Sequence, residues 1–387
     1  MPDSALLASP PGVAGDQSAV SHRENSARRT TRVVHLVPAR FGIDGVMGGA
    51  ERFAHQLARH MAEEVPTRLV TFGESDSSFC DRKLTVRVIG RAWRVRGQSA
   101  NPIAPGLLRE LRWADVVHCH QRFVLAASVA ALFCRLSGRR VFVTDLGGGG
   151  WDLSLYLNTD RWFHGHLHLS EYSRAGYGHT GRPWAHVISG GVDTQFFSPS
   201  APPRERRAAL YVGRILPHKG IDVLIRALPP DMPLTIIGRA YDARYLEDLR
   251  QLASAKSVDF NLECGDDDLV AAYRRAACVI LPSVQRTLYG ERVDSAELLG
   301  QTLLEAMACA TPVICSALGG MPEIVDDGVN GFVVPPGDCD ALRQRLRWFA
   351  EHPDEAAAMG AAGRAQVVAK FTWPRVVRRC LEIYRSV

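Results

Sequence analysis

Lysine is scarce in this chain of 387 residues, whereas arginine is abundant. Only Lys83, Lys219, Lys256 and Lys370 occur, so a lysine in a distinctive setting indicates a specific duty. Long apolar runs are lacking too: none approaches the roughly 20 residues that span a bilayer, which excludes a transmembrane helix. The N-terminus has no basic region followed by a long apolar stretch, so a signal peptide is not predicted. Residues 1–30, rich in Ser, Pro, Gly and Arg, are instead predicted to form a disordered leader.

The nine cysteines lack the spacing of a metal site or a redox motif. Their number is odd, and no two of them form a Cys-x-x-Cys pair. Four of them lie in apolar segments and are predicted to be buried thiols: Cys119, Cys278, Cys309 and Cys315. We therefore expect reduced cysteines without a disulfide framework or a zinc site, as in a cytoplasmic protein.

The pattern of apolar residues predicts an α/β fold with two domains. Short β-branched runs alternate with amphipathic helical stretches in two series, from TRVVHLV to RVFVTD and from AALYVGR to GFVVPP. Such alternation is typical of parallel strands joined by helical crossovers, and the length of the chain favours two such units. After the leader, the predicted parts are an N-terminal Rossmann-like domain (31–197), a Pro-rich charged linker (198–207), a C-terminal Rossmann-like domain (208–370) and a terminal helix (371–387).

Positive charge is concentrated in one segment of a chain whose formal net charge is +5. Between Arg82 and Arg96, five arginines and a lysine surround Trp93. One interpretation is a solvated face with a half-buried tryptophan, and the other is a surface for an acidic acceptor or an anionic membrane. Nucleic acid is not predicted as a partner, because no recognised binding motif accompanies the segment.

Two segments have the chemistry of anion binding. The loop GVMGGAER places Gly45, Gly48 and Gly49 between a strand and a helix, where backbone N–H groups can face a diphosphate. The alternative for this loop is a tight turn that needs positive φ. Arg214 and Lys219 flank a turn that follows a short apolar strand, and two cations in a water-poor cleft would stabilise a departing phosphate. The alternative is a surface arginine and a lysine at a helix start.

A pair of carboxylates lies in the segment AELLGQTLLEAMACATPVI. Gly300 makes one continuous helix improbable, so Glu297 is predicted in a loop and Glu305 on the helix that follows. Carboxylates accept hydrogen bonds from vicinal diols, and free N–H groups at a helix start hold an anion, so this layout fits a sugar nucleotide. The alternative is two unrelated carboxylates.

Histidines occur in two alternating groups. His118 and His120 end the strand DVVHCH on one face, and His118 is predicted to have a core role. A second group, His164, His166 and His168, offers three imidazoles on one strand face, but no carboxylate or cysteine accompanies them in sequence, so we expect no metal there. Two acidic runs, Asp266–Asp268 and Asp338/Asp340, are predicted to be helix starts and not metal ligands.

These motifs together resemble the retaining nucleotide-sugar glycosyltransferases of family 4, which have the GT-B fold. The resemblance extends from about Thr31 to Tyr384, and the order and spacing of its motifs make it specific. Besides the cation and carboxylate segments, it rests on GGAERFAHQLA (48–58), DVVHCH (115–120), VISGGVDTQFFSP (187–199), GGMPEIVDDGVNGFVVPPGD (319–338) and FTWPRVVRRCLEIY (371–384).

The resemblance implies a role for each motif. The N-terminal domain would bind the acceptor, the C-terminal domain would bind the nucleotide sugar, and the terminal helix would cross back to the N-terminal domain. Glu297 would hold hydroxyls of the donor sugar, Glu305 would hold the ribose, and His120 would orient a sugar hydroxyl. The other residues implied in donor binding are Gly48, Gly49, Arg214, Lys219, Leu299, Gly300, Gln301 and Thr302. One departure concerns donor selection: the family often has Glu-Gly/Pro-Phe-Gly where this chain has Glu-Leu-Leu-Gly.

The predicted activity is transfer of a sugar, with retention of configuration, from a nucleoside diphosphate donor. A UDP-sugar is the favoured donor, and a GDP-sugar is the alternative. The acceptor would be a small-molecule, saccharide or lipid-linked hydroxyl, and the enzyme would need neither metal nor cofactor besides the donor. The protein would be cytoplasmic. The alternative is a peripheral location, in which Arg82–Arg96 contacts the inner face of the membrane. A GT-B sugar-nucleotide epimerase or hydrolase and a non-catalytic nucleotide-sugar-binding protein are the alternative functions. The sequence sets neither the oligomeric state nor the acceptor.

Overall fold

The computed structural model describes residues 30–38, 49–147, 150–200, 206–293 and 297–387. The predicted leader up to residue 29, Gly45 and Gly48, and residues 201–205 of the predicted linker lie outside this part of the chain. Within it, two sheets carry the architecture, one of eight strands and one of six.

The first sheet is built by the N-terminal half of the chain, with a small separate hairpin formed by β5 and β6. In chain order the strands are β1 (Val33–Leu36), β2 (Thr67–Phe72), β3 (Ser77–Asp81), β4 (Leu84–Ile89), β5 (Trp93–Arg94), β6 (Pro102–Ile103), β7 (Val116–Cys119), β8 (Arg140–Val143), β9 (Gly165–His168) and β10 (Ala185–Val187). The helices are α1 (Gly49–Glu64), α2 (Leu107–Trp113), α3 (Leu125–Leu136) and α4 (Glu171–Gly176). The eight-stranded order is β10-β9-β8-β7-β1-β2-β4-β3.

The second sheet is parallel throughout, in the order β13-β12-β11-β14-β15-β16. Its strands are β11 (Ala208–Val212), β12 (Leu234–Ile237), β13 (Val258–Asn261), β14 (Ala276–Leu281), β15 (Val313–Ser316) and β16 (Gly331–Val334). The helices of this half are α5 (Ile221–Ala227), α6 (Ala243–Ala253), α7 (Asp266–Arg275), α8 (Gln301–Ala308), α9 (Cys339–Glu351), α10 (Pro353–Lys370) and α11 (Trp373–Arg385).

Continuous apolar sequence explains the central strands. All six residues of β14 are buried, as are all four of β7, because helices cover both faces of a parallel sheet. The four cysteines predicted in the core are buried, and all nine cysteines are free. The predicted α/β class with two doubly wound sheets is confirmed. Among the described helices, none is both long and apolar enough to cross a membrane.

One strand was not predicted from the sequence. β3 lies outside the predicted β-branched runs, and it pairs with β4 in the antiparallel sense. Only Arg82 and Lys83 connect the two strands, and Arg82 adopts a positive φ of 54°. A parallel pairing needs a crossover of a dozen or more residues, so a two-residue connection enforces a hairpin.

The chain order of the strands reverses at one point in each sheet. In the first sheet β1 lies between β2 and β7, and in the second β11 lies between β12 and β14. Open α/β sheets bind ligands beyond the carboxyl ends of the strands at such reversals. The residues that follow β7, β11 and β14 are therefore the first to consider as a site.

The terminal helix α11 packs on the layer of the first sheet. It begins at Trp373 with Pro374 in its first turn, within the predicted terminal helix of 371–387. The ring of Trp373 lies 5.3 Å from that of Phe53 and is stacked on His60 of α1 at 5.8 Å. Near the other end of α11, the hydroxyl of Tyr384 is 2.7 Å from Nδ1 of His118. The C-terminal residues thereby connect the two halves of the molecule.

Candidate active site

Lys219 and Glu297 form a largely enclosed ion pair at the carboxyl ends of β11 and β14. Nζ of Lys219 donates a hydrogen bond to Oε1 of Glu297, and the two side chains are only 11% and 15% exposed. Oγ of Ser283, just after β14, donates to the same oxygen at 3.0 Å. Burial opposes ionisation of Glu297, but the charge and hydrogen bond of Lys219 outweigh it, and the pKa of Glu297 is lowered. Glu297 is therefore a carboxylate at neutral pH.

The turn that carries Lys219 is held close to the end of β14. Pro217–Lys219 forms a short 3₁₀ turn that ends at Gly220, which has a φ of 66°. A Cβ atom at Gly220 would lie 2.1 Å from the carbonyl oxygen of Pro282, so only glycine permits this approach. Arg214 precedes the turn on the same loop, and its side chain is exposed.

The loop from Glu297 to Gly300 leads into α8. Gly300 has a φ of 94° and lies directly before the first helical residue, Gln301. The carbonyl of Glu297 accepts a hydrogen bond from the N–H of Gly320 at 2.9 Å. A Cβ atom at Gly319 would lie 2.0 Å from this carbonyl oxygen, so the neighbouring segment sets the position of Glu297.

The side chains at the start of α8 are engaged with the N-terminal half of the chain. Leu299 is buried, and Nε2 of Gln301 donates to the carbonyl of Gly191 at 2.8 Å. The backbone N–H groups of Gln301 and Thr302, in the first turn of α8, have no partner within the helix and are available to an anion. A ligand at this site would therefore contact the backbone N–H groups of Gln301 and Thr302.

Glu305 lies on α8 and is 6% exposed. The hydroxyl of Tyr273, on α7, donates to its Oε2 at 2.9 Å. Burial raises the pKa of Glu305 to about 7, against the smaller lowering effects of this hydrogen bond and the charge of Arg52. Arg52 belongs to α1 and forms an ion pair with Asp266 at 3.0 Å, so the start of α1 approaches this part of the second sheet.

His120 follows β7, and its ring has a defined tautomer. Its Nε2 is 2.8 Å from Nδ1 of His35, and Nε2 of His35 is 3.2 Å from Sδ of Met61. A thioether only accepts, so His35 carries its proton on Nε2 and accepts at Nδ1. His120 must then donate from Nε2, which leaves its Nδ1 as an acceptor. Burial, more than the neighbouring histidines, holds the pKa of His120 well below its usual value.

His120 is one of the residues that line a small cavity. Its Nδ1 is buried and has no partner among the described residues. The cavity lies where β1 and β7 end and α1 begins, and it is lined by Val37, Pro38, Ala50, Glu51, His120, Gln121 and Leu146. Gly49 is the first residue of α1, and nothing lies within 4 Å of a Cβ built on it. Gly48, predicted to share its role, lies outside the described residues.

Two family models match this sequence over adjoining stretches. "Glycosyltransferase Family 4" matches residues 47–196, and "Glycosyl transferases group 1" matches residues 192–366. The chain belongs to glycosyltransferase family 4.

Curated relatives of this family 4 chain align with about half of it. The chain is 35% identical over 227 residues to a GDP-mannose-dependent alpha-(1-6)-phosphatidylinositol monomannoside mannosyltransferase of Mycolicibacterium smegmatis, covering 53% of this chain and 58% of the relative. It is 33% identical over 230 residues to an alpha-maltose-1-phosphate synthase of the same species, covering 52% and 57%. The chain thus spans a little over half the length of the curated relatives it matches.

Solved structures agree with the family 4 chain over most of its length. HepE of Anabaena, solved with UDP and glucose, matches with a TM-score of 0.71 at 18% identity, covering 92% of this chain and all of that one. Sucrose-phosphate synthase of Thermosynechococcus elongatus matches with a TM-score of 0.70 at 20% identity, covering 92% and 98%. At this level of identity the likeness establishes the shared GT-B fold.

Among the residues that the structure describes in this family 4 chain, two groups of side chains have ligand atoms close enough for one metal ion. His35, His118 and His120 form the first group, whose ring nitrogens are largely taken up by hydrogen bonds to one another, to Thr144 and to Tyr384. The facing nitrogens of His35 and His120 are 2.8 Å apart, so these two rings are joined by a hydrogen bond in the described structure.

The second group bears on the alternating histidines. The sequence showed no carboxylate beside them, but Asp160 lies with His166 and His179, whereas Nδ1 of His164 accepts from the N–H of Val141. Asp160 lies five residues before the first residue of β9, in a short 3₁₀ turn. Its Oδ1 accepts from Arg122 at 2.6 Å, which neutralises its charge.

The acidic runs are helix starts, as predicted. Asp266–Asp268 forms the first turn of α7, and the side chain of Asp338 accepts from the N–H groups of Asp340 and Ala341 at the start of α9.

Several residues of the site escaped the sequence analysis. Ser283 ends the run VILPS and could have been found as a polar residue at a strand end. His35 lies in the run VVHLV, where it marks a polar position in a buried strand. Tyr273 and Arg52 carry no sequence signal, because only the packing of α7 and α1 brings them to Glu305.

Proposed function

We propose that this chain is a retaining glycosyltransferase that moves a sugar from a nucleoside diphosphate donor to a hydroxyl of an acceptor. The observation that carries the proposal is the enclosed Lys219–Glu297 pair, with Glu305 on the adjoining helix, at the strand-order reversal of the second sheet. Membership of family 4 supports the same activity.

Leaving-group stabilisation is assigned to Lys219 and Arg214. A lysine with an 11% exposed side chain is poorly hydrated, so its attraction to a developing diphosphate is stronger than in water. In the described structure Glu297 neutralises Lys219. A bound donor would replace this pairing, because its phosphate would pair with Lys219 and its sugar hydroxyls would donate hydrogen bonds to Glu297. The exposed Arg214 can reach the outer phosphate oxygens.

Donor recognition is assigned to α8 and the loop before it. Glu297 would accept hydrogen bonds from the sugar, and Glu305 from the ribose diol. The backbone N–H groups of Gly300, Gln301 and Thr302 would bind phosphate or sugar oxygens, helped by the positive end of the helix. Gly49 and Gly48 would admit the diphosphate at the start of α1.

His120 would accept a hydrogen bond from a hydroxyl of the transferred sugar. Its Nδ1 is the acceptor required, and it lies at the carboxyl end of the first sheet, opposite the donor-binding loop in this proposal. The imidazole stays neutral because burial keeps its pKa low.

The proposed reaction is a front-face displacement. The bond between the anomeric carbon and the β-phosphate oxygen breaks, and the acceptor oxygen bonds to the same face of that carbon. The acceptor hydroxyl passes its proton to the departing phosphate oxygen. The protein supplies positioning and electrostatic stabilisation, without a covalent intermediate at Glu297 and without a metal.

Donor and acceptor are proposed from the names of the relatives. GDP-mannose is the first donor to test because a relative at 35% identity is named for it, and a lipid-linked saccharide is the first acceptor class. UDP-glucose and ADP-glucose are the next donors.

A thermal-shift panel with GDP, UDP, ADP and their sugars tests the donor site, since a ligand that binds the native state raises the melting temperature. One nucleotide series is expected to stabilise the wild type, with or without EDTA. Stabilisation by no member, or only with added Mg²⁺ or Mn²⁺, would contradict the proposal. Donor hydrolysis that is indifferent to acceptors would favour the hydrolase alternative, and binding without turnover would favour the non-catalytic one.

A further inference from the structure

Large apolar side chains are exposed together on the N-terminal half of the molecule. Trp93 is 54% exposed on β5. Leu155, the last residue of a short 3₁₀ turn, is 65% exposed, and Tyr156 and Leu157, which follow the turn, are 68% and 51% exposed. Exposed leucines are common singly, but a contiguous group of large apolar side chains marks an interaction site.

Direct contacts join the two segments into one surface. The guanidinium of Arg96 lies 4.7 Å from the ring centre of Trp151, and the ring of Trp151 lies 6.2 Å from that of Tyr156. The backbone N–H of Trp151 also donates to the side chain of Gln98 at 2.7 Å. Hydrogen bonds from Trp151 and Arg96 lower the pKa of the Tyr156 phenol. We call Trp93, Arg94, Arg96, Leu155, Tyr156 and Leu157 the Trp93 surface.

The charge of the Trp93 surface is positive. Arg94 and Arg96 are exposed, and the backbone of Arg96 has a positive φ of 50°. The one acidic residue in residues 91–97 and 150–158, Asp152, is buried and accepts hydrogen bonds from Ser128 and Ser154. Aromatic rings, leucines and arginines without an exposed acid are the composition that binds the interface of an anionic bilayer.

The surface lies beside the acceptor side of the proposed site. The segment that ends at Trp151 starts next to His120, because Nε2 of Gln121 donates to the carbonyl of Gly147 at 3.3 Å. Within the same segment, the N–H of Gly150 donates to the carbonyl of Phe123 at 2.7 Å.

We propose that the Trp93 surface docks this protein on an anionic lipid bilayer, so that a lipid-linked acceptor reaches the site from the membrane. Trp93, Leu155 and Leu157 would enter the interfacial region, and Arg94 and Arg96 would bind lipid phosphates. The part that concerns the acceptor rests on the proposed function, whereas docking itself does not.

Co-sedimentation of the full chain with vesicles tests docking. We expect binding to phosphatidylcholine vesicles that contain about 30% phosphatidylglycerol, and about tenfold weaker binding to pure phosphatidylcholine. The variants Arg94→Glu/Arg96→Glu and Trp93→Ala/Leu155→Ser should each reduce binding about tenfold, and about 0.5 M salt should weaken the wild type. The matched control Tyr241→Ala/Leu288→Ala removes comparably exposed side chains of the second half and should bind like the wild type.

Three results would overturn docking. The first is that the Trp93 surface variants bind vesicles as well as the wild type does. The second is that the wild type binds neutral vesicles as well as anionic ones. The third is that the wild type does not sediment with vesicles but forms dimers, and that the variants abolish these dimers. The last would assign the surface to a second copy of the chain. Circular dichroism checks that the variants are folded.

Two assays separate docking from the proposed function. Donor-induced thermal stabilisation and transfer to a short water-soluble acceptor should be unchanged in the variants, while transfer to an acceptor embedded in vesicles should fall. Vesicle binding with no transfer to any acceptor would leave docking intact and refute the transferase activity.

Discussion

At the scale of single residues, the surroundings of each charged side chain decide its chemistry. Lys219 is enclosed and paired with Glu297, whereas Lys83 is two-thirds exposed and paired with Glu63 at the surface. Scarcity in the sequence drew attention to lysine, but the difference in enclosure gives Lys219 its chemistry.

Substitution of Lys219 by alanine should lower turnover about 100-fold or more, equivalent to about 2.7 kcal/mol of transition-state stabilisation. The removed charge would otherwise oppose the negative charge of the leaving diphosphate. Steady-state transfer kinetics measure the effect, and Lys83→Ala serves as the control. A folded Lys219→Ala protein with wild-type turnover would refute the phosphate assignment.

Glu305 should make donor affinity depend on pH. Its pKa of about 7 implies that the carboxylate, which accepts both hydrogen bonds of a ribose diol, forms only near neutrality. Affinity for a nucleotide sugar, whose diphosphate does not titrate there, should rise about tenfold between about pH 6 and pH 8. Titration calorimetry measures it. Glu305→Gln should abolish the dependence, and an unchanged pH profile in this variant would exclude Glu305 as its source.

The same shift affects stability with a definite sign. The pKa of Glu305 in the folded protein is raised above the ordinary value of 4.5, so the unfolded chain loses this proton first as the pH rises. The contribution of Glu305 to stability is therefore complete below about pH 4.5 and is lost as the pH approaches about 7.

Replacement of Met61 by leucine should remove the constraint that fixes which ring nitrogen of His120 carries the proton. The side chain keeps its approximate volume but loses the sulfur that accepts from His35. We expect kcat/KM to fall by about threefold to tenfold, the value of one hydrogen bond, with the fold intact. Long-range ¹H–¹⁵N NMR reports which ring nitrogen is protonated. A proton on Nδ1 of His120 in the wild type would contradict the tautomer assignment.

At the scale of elements, apolar pattern predicted the strands well and their partners less well. Each strand of the second sheet coincides with a predicted run, and in the central strands β14 and β15 burial on both faces leaves a continuous apolar signal. The hairpin of β3 and β4 was missed, because four of the five residues of β3 are exposed and carry no such signal. The side chains of Lys219 and Glu297 meet across 78 positions of sequence, and no local pattern specifies that distance.

Gly319→Ala should disturb donor binding through the loop that carries Glu297. A Cβ atom would collide with the carbonyl of Glu297, whereas at Gly328, which also has positive φ, nothing lies within 4 Å. Both variants should lose about 1–3 kcal/mol of unfolding free energy from backbone strain. Only Gly319→Ala should also weaken donor binding in titration calorimetry. Equal donor affinity of the two variants would show that this contact does not position Glu297.

At the scale of the whole molecule, several contacts join the half that contains the first sheet to the half that contains the second. Arg52 bonds Asp266, Gln301 bonds Gly191, and α11 returns to pack on α1. The family resemblance predicted the arrangement as a whole, since periodicity alone specifies elements and not how two sheets face each other. The acceptor, the donor base and the oligomeric state depend on surface shape that sequence patterns do not encode.

The central claim is transfer with retention by an enzyme that positions the donor and does not form a covalent intermediate. NMR of the product made from an α-linked donor tests it most directly, with Glu297→Gln and Glu297→Ala analysed alongside the wild type. The account predicts an α-linked product, part of the activity in Glu297→Gln and little in Glu297→Ala. A β-linked product, or a glycosyl adduct trapped on Glu297, would contradict it.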